Sequence, residues 1–210
     1  MSEVLRTPEE RFADLAGFPY TPVYVEQLDG YAGMRMHYVD EGHRDARHTF
    51  LCLHGEPTWA YLYRKMIPVF TGAGHRSVAP DFFGFGRSDK PAGDDVYTFD
   101  FHRNAIIAFI RRLDLRHITL VCQDWGGLIG LTLPMEMPDR FQRLLIMNTT
   151  LGTGDAEPTQ GFLDWRAWVE SRPDLSPARL MSFTCPHLSE AELAAYDAPF
   201  PNITYKAGVR

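Results

Sequence analysis

The sequence predicts an α/β fold: a mostly parallel sheet with helices on its faces and a helical cap. Two observations predict it. Short, almost wholly apolar runs recur at 49–53 (TFLCL), 77–79 and 118–122 (ITLVC), as strands buried on both faces require. Segments with helix-spaced apolar residues separate them. That alternation is the pattern of parallel strands joined by right-handed crossovers. A chain of 210 residues forms one large domain or two small ones and can bury a sizeable core.

Each element follows in order. Residues 1–22 carry Pro8, Gly17, Pro19 and Pro22 and read as an irregular lead-in. Residues 34–40 (MRMHYVD) alternate apolar and polar, as in a half-buried strand. The run at 49–53 stops at His54-Gly55-Glu56-Pro57. Residues 59–70 space Leu62, Met66, Ile67 and Phe70 as a helix does. The strand at 77–79 closes on Pro80-Asp81, and 82–91 is turn-rich. A helix is expected over 101–113, a strand over 118–122, a helix over 126–137 and a strand over 144–147. Beyond Gly154 come three short helices, at 162–169, 177–183 and 189–196, with no strand between them. Ser189 and the acidic residues after it form a helix start. The chain divides into a core at 1–154 and a helical cap region at 155–210.

Composition narrows the function. Lys plus Arg is 21 and Asp plus Glu is 27, a formal net charge of −6 with no basic stretch. Nucleic acid and anionic membrane surfaces are therefore not expected partners. The longest apolar run, 105–110, is too short to span a bilayer, and the first residues have no apolar signal region. A cytoplasmic protein is expected. Cys52, Cys122 and Cys185 are odd in number and widely spaced, which argues against a disulfide framework or a zinc site. No metal or organic cofactor is implied.

The chemistry centres on Cys122-Gln123-Asp124-Trp125-Gly126-Gly127, between a buried strand and a helix. A sharp turn there lifts one side chain above the carboxyl edge of the sheet, beside the free N–H groups of the next helix. Small residues must flank it, and Gly126 and Cys122 do. The lifted residue is Asp124, a carboxylate that can attack carbon without a base and form an ester. The alternative is that Asp124 caps the following helix. At His54-Gly55-Glu56-Pro57, the backbone N–H of Glu56 and that of Trp125 would form an oxyanion site. His54 reads as a structural histidine that shapes this loop. Glu56 is either part of a pocket or a solvated loop carboxylate.

The segments HGEP at 54–57, APDFFGFGRSDKP at 79–91 and QDWGGLIG at 123–130 resemble the α/β-hydrolases. More narrowly they resemble the haloalkane dehalogenases with HGEP at the first site, and AYDAPFPNITYKAGVR at 195–210 is similar to that group's exit from the cap. The resemblance implies that Asp124 is the nucleophile, displacing halide from a small haloalkane. It implies that Trp125 donates its indole N–H to the departing halide. It also implies that Glu56 lines the same pocket. The family's histidine base and its acid would lie beyond Arg210, and His187 is the one histidine after Asp124, so the C-terminal strands and helices are expected to be missing. The second halide-binding Trp of the group has no counterpart in residues 182–188; Trp165 and Trp168 lie nearby. A monomer is expected for a full-length protein. Two rivals remain. One is an epoxide hydrolase, which needs cap tyrosines, here Tyr196 and Tyr205. The other is a non-catalytic remnant of the fold.

Overall fold

A computed structural model describes residues 3–155 and 157–210. The two first residues of the lead-in and the second residue of the cap region lie outside the described residues. In chain order the elements are β1 (Val4–Leu5), β2 (Val23–Glu26), β3 (Arg35–Glu41), β4 (Thr49–Leu53), α1 (Ile67–Gly72), β5 (Arg76–Pro80) and β6 (Lys90–Pro91). Then come α2 (Phe99–Arg112), β7 (Ile118–Gln123), α3 (Asp124–Gly130), α4 (Leu133–Glu136), β8 (Phe141–Met147), α5 (Gln160–Glu170), α6 (Pro177–Thr184) and α7 (Glu190–Asp197).

Six strands form one sheet in the order β2-β3-β5-β4-β7-β8. The half from β5 to β8 is parallel, as expected. The other half is antiparallel: β2 pairs with β3, and β3 with β5. Strand β3 is buried over Met36, His37, Tyr38 and Val39, not alternately exposed, because it has a neighbour strand on each side and packing on both faces. Residues alternate between faces with period two. Leu51, Leu53, Leu120 and Cys122 join a core cluster with Ile106 and Phe109 of α2. Cys52 and Val121 point the other way, into a cluster with Trp59, Tyr61 and Tyr63.

Helix α2 starts where Thr98 Oγ1 accepts the Phe101 N–H at 3.1 Å, with Asp100 in its first turn and Arg111 and Arg112 in its last. Both charge signs oppose the helix dipole. The helix expected over 59–70 is broken into a short 3-10 turn at Ala60–Tyr63 and α1. Pro68 lacks an N–H, so it fits the first turn of a new helix and not the interior of a longer one. The helix expected over 126–137 starts earlier and splits into α3 and α4 for the same reason, at Pro134. The lead-in is pinned by β1 pairing with β6 and by Arg6 gripping Asp89 at 2.8 and 3.1 Å.

After β8, α5, α6 and α7 follow one another without a strand between them. Ser189 and Glu192 form a reciprocal capping box at the start of α7. The last stretch does not stand clear of the core: Ala195, Tyr196 and Ala198 pack into one cluster and Phe200 and Val209 into the other. The Trp59 indole N–H donates to Ala195 O at 3.0 Å. Strand β8 closes one edge of the sheet, and Leu144, Leu145 and Ile146 on it are exposed.

Candidate active site

The carboxyl ends of β4, β5 and β7 lie side by side in the sheet, and the turns after them make the site. Asp124 is the first residue after β7. Its φ is 51°, in the left-handed region that a non-glycine residue adopts at a cost. Neighbouring turns hold it there. Its N–H donates to Asn148 O at 3.1 Å, and Thr149 Oγ1 donates to its carbonyl at 2.7 Å. The backbone is crowded as the sequence required. A Cβ at Gly126 would overlap the Leu53 carbonyl, one at Gly127 would overlap the Thr149 side chain, and one at Gly55 would overlap Asp124 itself.

The Glu56 N–H donates to Asp124 Oδ1 at 2.8 Å, one of the two amide contacts expected. The other is not made: the Trp125 amide forms no bond to this carboxylate among the described residues. Nor does the carboxylate cap α3, whose N-cap position is Gln123 with no side-chain cap bond.

A cavity of about 410 Å³ is lined by Glu56 and Trp125, the residues bonded to and following Asp124, while Asp124 itself lies behind them. Gly55, Glu56 and Trp125 line its floor, with Phe82, Phe85 and Tyr97 around them, and Phe162, Trp165 and Val169 of α5 form its roof. Glu56 is no solvated loop residue. Burial, and then the nearby Asp124, push its carboxyl up to about 8, so it is protonated at neutral pH. Trp125 is 38% exposed, toward the cavity, and no protein group bonds its indole N–H among the described residues. The site therefore offers a carboxylate with one oxygen held, a free N–H donor and mostly apolar walls.

Other sequence candidates fall differently. His54 is buried and engaged through both ring nitrogens, in keeping with a structural role. His187 is exposed and does not border the cavity. Trp165 lines the cavity, whereas Trp168 faces a separate hollow with Arg172 and Phe183. Tyr196 and Tyr205 do not reach the cavity; Tyr196 is buried against Arg64. Tyr97 does reach it, but its hydroxyl donates to Pro91 O at 2.6 Å.

Sequence reasoning missed His102. It lines the cavity from α2 and stacks on Tyr97, and burial pushes it down to about 4, so it is neutral. The signal was its spacing, three and four residues before Ala105 and Ile106 on the buried face of the helix. The Cys52 and Cys122 thiols are pushed up by burial to about 12 and about 11, which makes them inert as nucleophiles. No group of three His, Cys, Asp or Glu residues able to hold a metal occurs among the described residues. Among the described residues no helix is long and apolar enough to cross a membrane.

Residues 48–183 match the family model of the alpha/beta hydrolase fold. The chain is 50% identical over 210 residues to a haloalkane dehalogenase of Psychrobacter cryohalolentis, covering 99% of this chain and 69% of that protein. It is 47% identical over 209 residues to haloalkane dehalogenase 1 of Mycobacterium tuberculosis, covering 99% and 70%. Among solved structures, the tetrameric haloalkane dehalogenase DpaA of Paraglaciecola agarilytica NO2 superposes with a TM-score of 0.96 at 57% identity, over 99% of this chain and 69% of that one. An epoxide hydrolase of Vigna radiata is more distant, at a TM-score of 0.65 and 20% identity over 90% of this chain and 73% of that one, and shares the fold alone. The chain belongs to the haloalkane dehalogenases, within the α/β-hydrolase fold.

Proposed function

We propose that the protein cleaves carbon–halogen bonds of small haloalkanes by hydrolysis, with Asp124 as the nucleophile. Asp124 Oδ2 attacks the halogen-bearing carbon from the side opposite the halogen. The carbon–oxygen bond forms as the carbon–halogen bond breaks, and halide departs with the bonding pair. Trp125 donates its indole N–H to the halide as charge develops on it, as a donor already in place before the bond breaks. Protonated Glu56 adds no negative charge to that pocket. Water then adds to Cγ of the ester as a general base takes its proton, and the Glu56 N–H holds the oxygen on which charge gathers. Alcohol leaves, a proton is released and the carboxylate returns. The whole is haloalkane plus water giving alcohol, halide and a proton.

The observation that carries this reading is the grip on Asp124: left-handed backbone, one carboxylate oxygen bonded by Glu56 N–H at 2.8 Å, and no helix-capping bond. A capping or merely structural aspartate would use its carboxylate on α3. The epoxide hydrolase reading is the weaker one, because the cap tyrosines are turned away from the cavity and the Tyr97 hydroxyl is committed to Pro91. Residues 155–210 are read as a cap over the site, with the boundary within the loop between β8 and α5.

The test is mass spectrometry of protein quenched during a single turnover of n-butyl bromide in heavy-oxygen water. An alkyl ester on Asp124, or heavy oxygen incorporated into Asp124 after the ester is hydrolysed, is expected. Asp124→Asn should give neither and release no halide. Heavy oxygen appearing directly in the alcohol, with Asp124 unmarked, would overturn the reading.

A further inference from the structure

His54 is not needed as a base in the reaction above, yet it is one of the most fully engaged polar side chains near the site. It is 1% exposed, with its ring packed on Phe82 at 4.6 Å between centroids. Its Nε2 lies 3.0 Å from the backbone N of Phe82. Its Nδ1 lies 3.0 Å from Gly55 O. These partners fix the proton. A backbone N–H can only donate, so Nε2 must carry a lone pair. A carbonyl can only accept, so Nδ1 must carry the hydrogen. One state satisfies both: the neutral ring with its proton on Nδ1. Burial favours the neutral ring, against the pull of the carboxylates of Asp81 and Asp124.

The consequence runs through one peptide plane. Gly55 O and Glu56 N–H belong to the same planar unit and point in opposite directions. Whatever orients the carbonyl therefore aims the N–H, and that N–H holds Asp124 Oδ1. Thr58 also bonds Gly55 O, through its N–H at 2.9 Å and its hydroxyl at 2.8 Å. But Thr58 is on the same loop and moves with it. His54 reaches outside the loop, to the exit of β5. That exit is rigid, because Asp81 accepts from Ala60 N at 2.8 Å, Arg87 N at 2.8 Å and His37 Nδ1 at 2.7 Å.

We propose that His54 is a positioning residue, whose neutral Nδ1-protonated ring clamps the Gly55–Glu56 peptide to the exit of β5 and thereby fixes the oxygen of Asp124 that does not attack. This rests on Asp124 being the nucleophile. With Oδ1 held, Oδ2 is the oxygen left to attack; released, the carboxylate rotates and seldom meets the carbon in line.

The first measurement uses the unaltered chain. Long-range proton–nitrogen NMR of the His54 ring should show the Nδ1–H form at neutral pH; the Nε2–H form or the imidazolium would overturn the proposal. The second compares variants by alkyl transfer from n-butyl bromide. His54→Leu should lower the rate at saturation by about 10-fold to 10²-fold, as misplaced reacting groups do, with the half-saturating concentration unchanged. His54→Gln, whose amide supplies both a donor group and an acceptor group, should recover most of the rate. A folded His54→Leu with the original rate would overturn the proposal. If that variant does not fold, the ring tautomer decides. If the unaltered chain transfers no alkyl group to Asp124, the nucleophile reading fails, and the tautomer alone decides whether the clamp exists.

Discussion

The floor of the cavity is formed by turns after β4, β5 and β7 whose polar groups are bonded to one another, while the roof is a helix, α5, that buries only Val169. On the floor, Asp124 is fixed by Asn148, Thr149 and Glu56, and His54 by Gly55 and Phe82. On the roof, the side-chain bonds Gln160–Asp164 and Arg166–Glu170 are both internal to the helix. The difference separates two tasks. A displacement needs its nucleophile and halide donor held within a fraction of an ångström. Fitting an apolar chain needs only apolar area of the right shape. Changes on the floor should therefore alter rates, and changes on the roof should alter affinity.

Trp125→Phe is the sharpest blow to the floor. The ring volume is nearly kept and the N–H is lost. Halide release should slow by about 10²-fold, the loss seen when one preorganised donor to a developing anion is removed. Quenching of tryptophan fluorescence by bromide should weaken with it. If rate and quenching both stay unchanged, Trp125 is only a wall of the cavity.

Glu56→Gln comes next and acts through pH. The carboxyl is pushed up to about 8 by burial and by Asp124. A raised acid favours the folded state while protonated. That contribution is complete below the ordinary carboxyl value and is lost as pH rises through about 8. Above it, a second negative charge stands beside Asp124 and the departing halide. Displacement should fall by about 10-fold between neutral pH and about pH 9, and thermal stability should fall from the ordinary carboxyl value of 4.5 up to about 8 and then level off. Glu56→Gln should flatten both profiles. A fall of equal size in the variant would assign the titration to another group.

The floor was far more legible in the sequence than the roof. Continuous apolar runs mark β4, β5 and β7 because those strands are covered on both faces, and the turns after them need small residues where backbones crowd. Gly126 and the DWGG segment therefore announce the elbow, and HGEP announces the loop opposite. The bond from Glu56 to Asp124 follows from two such turns on adjacent strands. Strand β2, VYVE, was not recognised: it is four residues long at a sheet edge, and its antiparallel pairing depends on partners that periodicity does not reveal. His102 was hidden because one polar residue on an apolar helix face changes the pattern little. The roof leaves the weakest trace, since α5 carries apolar residues on several sides and spacing alone does not select the one that meets the cavity.

Trp165 and Trp168 decide whether the roof stays out of the chemistry. They stack at 5.3 Å between centroids and 19° between planes, but only Trp165 borders the cavity. Trp165 is 44% exposed, so its ring is available to a bound alkyl chain. Trp165→Leu removes apolar area from the roof. It should raise the half-saturating concentration of a longer haloalkane by about 5-fold, in the range that loss of a small apolar contact gives. The rate of alkyl transfer at saturation should hold. Trp168→Leu, on the far side of the stacked pair, should change affinity less. A fall in the saturated rate of Trp165→Leu as large as that of Trp125→Phe would mean a second N–H meets the halide from above. The roof would then take part in bond breaking, and the division between a floor that reacts and a roof that selects would fail at that residue.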